Sequence, residues 1–128
     1  MGPKFASTLG MLLLLLASGA AAHEKHAKKK AAAEQTIAGE VIDTSCYLQH
    51  GNSTGESHRA CALECARQGV PLGLLTSSGT IYLPVAMTHK DAYNKPLLPY
   101  AGRKVRVKGR VLIKGGFRGI VIKSVEPL

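Results

Sequence analysis

Apolar and polar positions alternate most regularly between residues 104 and 113 of this 128-residue chain. A period of two predicts a strand with one face in the core and the other in water. The apolar face would carry Val105, Val107, Val111 and Ile113, and the basic face Lys104, Arg106, Lys108 and Arg110. Gly115 and Gly116 predict a turn, residues 119–125 a returning strand, and Gly109 a bulge inside the first strand.

Three further strands and a helix are predicted before this pair. Residues 36–43 alternate loosely and predict a first strand, while residues 72–76 and 80–85 flank a Ser-Ser-Gly turn and predict a hairpin. Residues 58–68 are rich in helix formers and are followed by glycine and proline, which predicts a short helix after the first strand. Five short strands with one helix predict a mainly β protein, a small Greek-key barrel.

The N-terminus has the features of a secretory signal peptide over residues 1–22. Lys4 gives a positive start, residues 9–17 form an apolar run, and Ala20-Ala21-Ala22 matches a cleavage signal, so we expect cleavage near Ala22. The run is short for a membrane span, so an integral membrane protein is not expected. Residues 23–35 lack strongly apolar side chains and predict a flexible basic arm. We therefore expect an exported protein, periplasmic or extracellular.

The C-terminal strand pair carries a resemblance to a known kind of protein. The stretch AGRKVRVKGRV at 101–111, followed by GIVI at 119–122, resembles the last two strands of small exported bacterial OB-fold-like proteins, which carry a G-[KR]-x-V-x-V-x-G phrase. The similarity covers residues 37–125 and implies a five-stranded OB-like barrel. It implies no particular activity, because OB-like folds host many functions.

Two cysteine phrases extend the resemblance to the segment after the first strand. The D-x-x-C-Y phrase at 43–47 and the H-x-x-C-x-x-x-C phrase at 58–65 are similar to an insert in exported proteins of this kind. The expected domain organisation is an OB-like barrel over residues 36–128, with a Cys/His insert at 46–65.

All three cysteines and two of the five histidines of the chain lie in that insert. Cysteines usually pair in an oxidising compartment. Since three is an odd number, at least one thiol must be free, pair with another molecule or be held by a ligand such as a metal.

Helical spacing favours a metal site. His58, Cys61 and Cys65 lie at i, i+3 and i+7, within about 60° around a helix axis, and we expect this sulfur stripe to face inward. Cys46, at the end of the first strand, would complete a set of three thiolates and an imidazole that suits tetrahedral zinc or Cu(I). Outer candidate ligands are His50, Met87 and His89. Because an exported site with several Cys, His and Met donors suits copper chemistry, we rank copper above zinc.

Two other roles use the same residues. Residues four apart on a helix are too distant for a relaxed disulfide, so the alternative bond joins Cys46 to Cys61 or Cys65 and would link the insert to the barrel. A thiol-based redox protein is a second alternative, since His58 could help ionise Cys61. No C-x-x-C or other catalytic motif is present in the chain, so a binding role is favoured over an enzymatic one.

The basic strand face suggests an anionic partner. The chain has 17 basic against 8 acidic residues and a formal net charge of +9. Residues 104–110 could meet an anionic envelope surface or an acidic protein. Nucleic acid is not expected, because no aromatic residue is interleaved among these charges. The sequence therefore favours an exported metal-binding carrier or binding module, with a disulfide-linked interaction domain as the alternative.

Overall fold

Five strands, two short α-helices and two 3₁₀ turns make up the part of the chain that the computed structural model describes, namely residue 2, residues 32–51 and residues 53–128. The strands are β1 (Glu34–Asp43), β2 (Leu72–Leu75), β3 (Ile81–Pro84), β4 (Lys104–Lys114) and β5 (Phe117–Pro127). The helices are α1 (Thr44–Gln49) and α2 (Arg59–Arg67), and the 3₁₀ turns are Glu56–His58 and Leu98–Tyr100. The predicted signal peptide, apart from residue 2, and the basic arm up to residue 31 lie outside the described residues.

The strands close into a barrel in the order β1-β2-β3-β5-β4, and β4 pairs back onto β1. The β3–β5 pair is parallel, and every other pair is antiparallel. This architecture confirms the expected mainly β, OB-like barrel with a short helix after the first strand. The barrel encloses an apolar core of Val41, Leu72, Leu74, Leu97, Val105, Val107, Val111 and Ile120.

Strand β4 follows the predicted alternation as far as the bulge. Its pairing with β5 shifts register between Lys108 and Gly109, which confirms the predicted irregularity. A side chain at Gly109 would collide with the backbone carbonyl of Val121, so glycine is required at this close approach. The prediction that Ile113 faces the core is wrong, since this side chain is 65% exposed. The β1–β4 ladder ends at the Glu34–Arg110 pair, so Ile113 lies in a hairpin extension that has only β5 beside it.

The first strand begins two residues earlier than expected. Glu34 and Gln35 pair with Arg110 and Gly109, because β4 is long enough to offer them partners. The Glu34 carboxylate also lies 2.9 Å from Lys123 Nζ. The domain therefore starts before residue 36, and part of the predicted arm belongs to the barrel.

Candidate metal centre

Four side chains converge at the end of β1 where the helices begin. Asp43, Cys46, Cys61 and Cys65 each place one potential ligand atom in a group whose members all lie within 4.8 Å of one another. The Cys46 and Cys61 sulfurs are 3.9 Å apart, and none of the three cysteines forms a disulfide bond. In a tetrahedral site with metal–sulfur bonds of about 2.3 Å, two sulfurs lie about 3.8 Å apart. The observed separation therefore fits shared coordination.

Asp43 is the buried member of this group, and hydrogen bonds hold its side chain in place. It is the last residue of β1 and is fully buried. Its Oδ1 accepts hydrogen bonds from Ser45 N at 2.8 Å and Cys46 N at 3.1 Å, so it caps α1 and orients the first cysteine. Its Oδ2 is also buried and has no hydrogen-bond partner. A buried carboxylate oxygen without a partner is costly unless a proton or a cation occupies the adjacent space.

Backbone and hydroxyl contacts hold α1 in place. The Thr44 hydroxyl donates to Pro71 O at 2.7 Å, which ties the start of α1 to the chain that leaves α2. Ser53 is buried, and its hydroxyl donates to Cys46 O at 3.0 Å at the other end of α1. Cys46 is thus positioned from both ends of a helix of six residues.

The arginine at the start of α2 positions the other two cysteines. The Arg59 guanidinium donates to the Ala101 carbonyl and to Pro99 O at 3.1 Å, so it anchors the helix to the loop before β4. These charge-assisted bonds fix the first turn, which contains Cys61.

The cysteines of α2 were expected to face inward. In the structure they border the buried face of the helix, which is formed by two alanines. Ala62 and Ala66 are buried, whereas Cys61 is exposed and Cys65 is half-buried. Each cysteine precedes one of these alanines and is therefore turned about 100° from it around the helix axis. The group is consequently open to solvent on the Cys61 side and closed on the Asp43 side.

The buried carboxylate of Asp43 favours the protonated thiols of Cys46 and Cys65 in the metal-free protein. Contact with the Asp43 carboxylate, reinforced by desolvation, raises the pKa of Cys65 to about 12. Desolvation and contact with Asp43 also raise the pKa of Cys46. Burial raises the pKa of Asp43 itself, but polar contact with Cys65 and the amide bond from Cys46 outweigh it, so the net pKa is lowered. A bound cation would reverse this balance and stabilise the thiolates.

Three of the four inner ligands expected from the sequence come together, and His58 lies outside the group. His58 ends the 3₁₀ turn before α2 and is half-buried, and its Nε2 is buried without a hydrogen-bond partner. Cys46 lies in α1 and not at the strand end, where Asp43 stands instead.

The outer candidates are exposed, and none belongs to the group. His50 is the C-cap residue directly after α1, and its backbone N–H donates to Cys46 O at 2.8 Å. Met87 and His89 were expected at a strand end, but β3 stops at Pro84 and both lie in the following loop. The Met87 sulfur accepts a weak hydrogen bond from Arg110 at 3.7 Å.

Sequence reasoning missed Asp43 as a member of this group. The available signal was its position three residues before Cys46, which is the spacing of a helix-capping aspartate. A strand that ends in such a residue places the carboxylate beside a side chain of the first helical turn.

Comparison with protein-family models, with curated proteins and with solved structures finds no match to this chain. Among the described residues, none of the helices has the length and apolar character needed to span a bilayer. The fold and the geometry of the site therefore carry the functional argument.

Proposed function

We propose that this protein is an exported metal-binding module that holds one thiophilic cation through Asp43, Cys46, Cys61 and Cys65. The observation that carries this proposal is the buried Asp43 Oδ2, which has no hydrogen-bond partner and lies in a group with three unbonded thiols. A divalent cation there would offset the charge of the carboxylate and of the thiolates that form as it binds.

The donor set favours zinc over copper. Three sulfurs and one carboxylate oxygen can complete a closed tetrahedral zinc site. Cu(I) prefers soft donors alone, and a carboxylate adds little to its coordination. The histidine and methionine donors that favoured copper in the sequence lie outside the group. Zinc therefore replaces copper as the metal we propose.

A carrier role is supported by the uneven exposure of the group. Asp43 is buried, whereas Cys61 is exposed. An incoming thiol could approach the metal from the Cys61 side and replace one ligand while the other three hold the ion. The signal-peptide features of residues 1–22 support export of this carrier.

Elemental analysis combined with thiol titration tests the proposal. The freshly purified protein should contain about one zinc per chain, and its thiols should react with an alkylating reagent only after a chelator is added. Replacing Asp43 by Asn, or any of the three cysteines by Ser, should lower the bound metal.

Histidine variants provide the matched comparison. His50→Ala and His89→Ala change exposed side chains outside the group and should retain the metal. His58→Ala should also retain it, which separates the Asp43 site from the ligand set predicted from the sequence. Metal loss in His58→Ala together with full binding in Asp43→Asn would contradict the proposal.

The 3.9 Å separation of the Cys46 and Cys61 sulfurs favours a second candidate, a disulfide-linked interaction domain. A small movement of either helix would allow this bond to form, and Cys65 would remain as the odd thiol beside Asp43. Full alkylation of one thiol and no metal in the freshly purified protein is the outcome this candidate expects.

A thiol oxidoreductase is less well supported. A nucleophilic cysteine needs a lowered pKa, whereas the pKa values of Cys46 and Cys65 are raised. His58, which was expected to help ionise Cys61, lies outside the group. A metal-binding role uses the same thiols without requiring them to be reactive in the metal-free state.

A further inference from the structure

The turn between β4 and β5 forms an exposed hairpin tip, residues 112–118, that the proposed metal site does not use. Leu112, Ile113 and Phe117 are 38%, 65% and 60% exposed. In the ladder, β1 stops opposite Arg110, and Gly119 is the first residue of β5 that pairs with β3. Residues 112–118 between these points are all exposed. The tip therefore extends beyond the barrel with solvent on both of its faces.

Each face of the tip carries an apolar and a basic side chain. Ile113 is paired with Arg118, and Lys114 is paired with Phe117. Directly paired residues of an antiparallel ribbon point to the same side. Each of the two faces of the ribbon therefore carries one apolar side chain and one cation near the turn.

The charge of the hairpin is of one sign from Lys104 to Lys123. No acidic residue occurs between Lys104 and Lys123. Glu34 contacts Lys108 and Lys123. Among the described residues, no carboxylate lies within ion-pair distance of Lys114 or Arg118. The cations nearest the tip are therefore available to an anionic partner.

We infer that this tip docks on an anionic lipid surface. A ribbon with apolar and basic groups on both sides can enter the headgroup region tip first, with its apolar side chains at the acyl boundary and its cations at the phosphates. A second copy of the chain would bring the same positive charges and repel. A flat acidic protein surface would cover only one face of the ribbon.

The tip and the metal site lie at opposite ends of β1. Asp43 is the last residue of β1, and Glu34, its first residue, pairs with Arg110 near the tip. A strand of this length spans about 30 Å. The tip can therefore rest on a membrane while the Cys61 side of the metal group stays in solution.

Vesicle co-sedimentation of the full chain tests this inference. The protein should bind vesicles of mixed phosphatidylglycerol and phosphatidylcholine, bind neutral phosphatidylcholine vesicles far less, and dissociate as the salt concentration rises. An Ile113→Ser/Phe117→Ser double variant should bind the anionic vesicles at least about tenfold more weakly. A Lys114→Gln/Arg118→Gln variant should lose most of the preference for anionic lipid.

Leu48→Ser is the matched control, since Leu48 is 78% exposed but lies on α1 beside the metal site. It should bind vesicles like the parent chain. All variants change side chains outside the core, so thermal unfolding should show that each is folded. Equal binding to neutral and anionic vesicles, parent-like binding by both tip variants, or an equal loss in Leu48→Ser would overturn the inference.

Discussion

At the scale of single residues, Asp43 combines two roles that are usually separate. One carboxylate oxygen caps α1, and the other is buried beside the thiols without a hydrogen-bond partner. The cap fixes the side chain before a ligand arrives, so a metal that uses Oδ2 needs little reorganisation of the protein.

Replacing Asp43 by Asn should separate these two roles. Asparagine can still accept the amide bonds at the start of α1, but it removes the negative charge and leaves a weaker metal ligand. We expect zinc affinity to fall by at least about tenfold, measured by competition with a chromophoric chelator. Asp91→Asn is the control, because Asp91 also accepts two backbone amides, from Met87 and Thr88, but is exposed and outside the group. Equal affinities in the two variants would contradict a ligand role for Asp43.

The raised pKa of Cys65 predicts a pH dependence in the metal-free protein. Its value is about 12 in the folded chain against an ordinary 9.0, so the fold favours the protonated thiol. The protonated Cys65 thiol therefore adds to the free energy of unfolding. This stabilisation is fully present below pH 9 and is lost as the pH rises towards 12.

Denaturant unfolding across this range measures the effect as a difference between variants. Cys65→Ser removes the titrating group, so its stability should decline less steeply with pH than that of the parent. Asp43→Asn should lower the pKa of Cys65, since contact with the Asp43 carboxylate is the largest cause of the shift. Parallel pH profiles for all three chains would show that the Asp43–Cys65 contact has no energetic role.

At the scale of elements, regular alternation made the barrel strands predictable. The 104–113 pattern locates β4, and the glycine in its middle marks the observed register shift. Ile113 shows the limit of this reasoning, since alternation assigns a side chain to a face but cannot say where the neighbouring strand ends. Helix α1 was missed because its six residues are too few to show a helical period.

The site was only partly predictable for a related reason. Helical spacing brings Cys61 and Cys65 to one side of α2 from local geometry alone. The partners of these cysteines depend on how three elements meet at the end of β1, which one sequence does not specify. Asp43 therefore entered the group and His58 did not.

The anchoring of α2 by Arg59 gives a prediction at this scale. Arg59→Ala removes two bonds to the Pro99 and Ala101 carbonyls, from a side chain that is only 23% exposed. We expect the protein to lose about 2 kcal/mol of stability, and zinc affinity to fall because two of the ligands move with the helix. Arg67→Ala, on the exposed side of the same helix, should change stability by less than about 0.5 kcal/mol. Denaturant melts and chelator competition would measure both effects, and similar losses in the two variants would argue against the anchor.

At the scale of the whole molecule, the barrel separates the proposed metal site from the hairpin tip, which carries basic and apolar side chains beyond the opposite end of β1. The group joins β1 to both helices, which also contact the rest of the molecule through the Thr44–Pro71 and Arg59–Ala101 bonds and the buried side chains of Ala62 and Ala66. Metal binding should therefore stabilise the helical insert together with the barrel.

Zinc should raise the unfolding temperature of the metal-free protein. At a free zinc concentration of a hundred times the Kd, mass action adds about 2.7 kcal/mol to the stability of the folded state. A chelator should reverse the shift, and Cys65→Ser should show a much smaller one. Thermal unfolding monitored by circular dichroism measures this, and an unchanged transition with zinc in excess would contradict coupling between metal and fold.

Native mass spectrometry of the freshly purified protein tests the central claim most directly, because a bound metal and a disulfide change the mass in opposite directions. The Asp43–Cys46–Cys61–Cys65 site predicts one zinc ion per chain, much less zinc in Asp43→Asn, and three alkylatable thiols once the metal is removed. A metal-free chain lighter by two hydrogens, with Cys46 and Cys61 joined in peptide mapping, would contradict it.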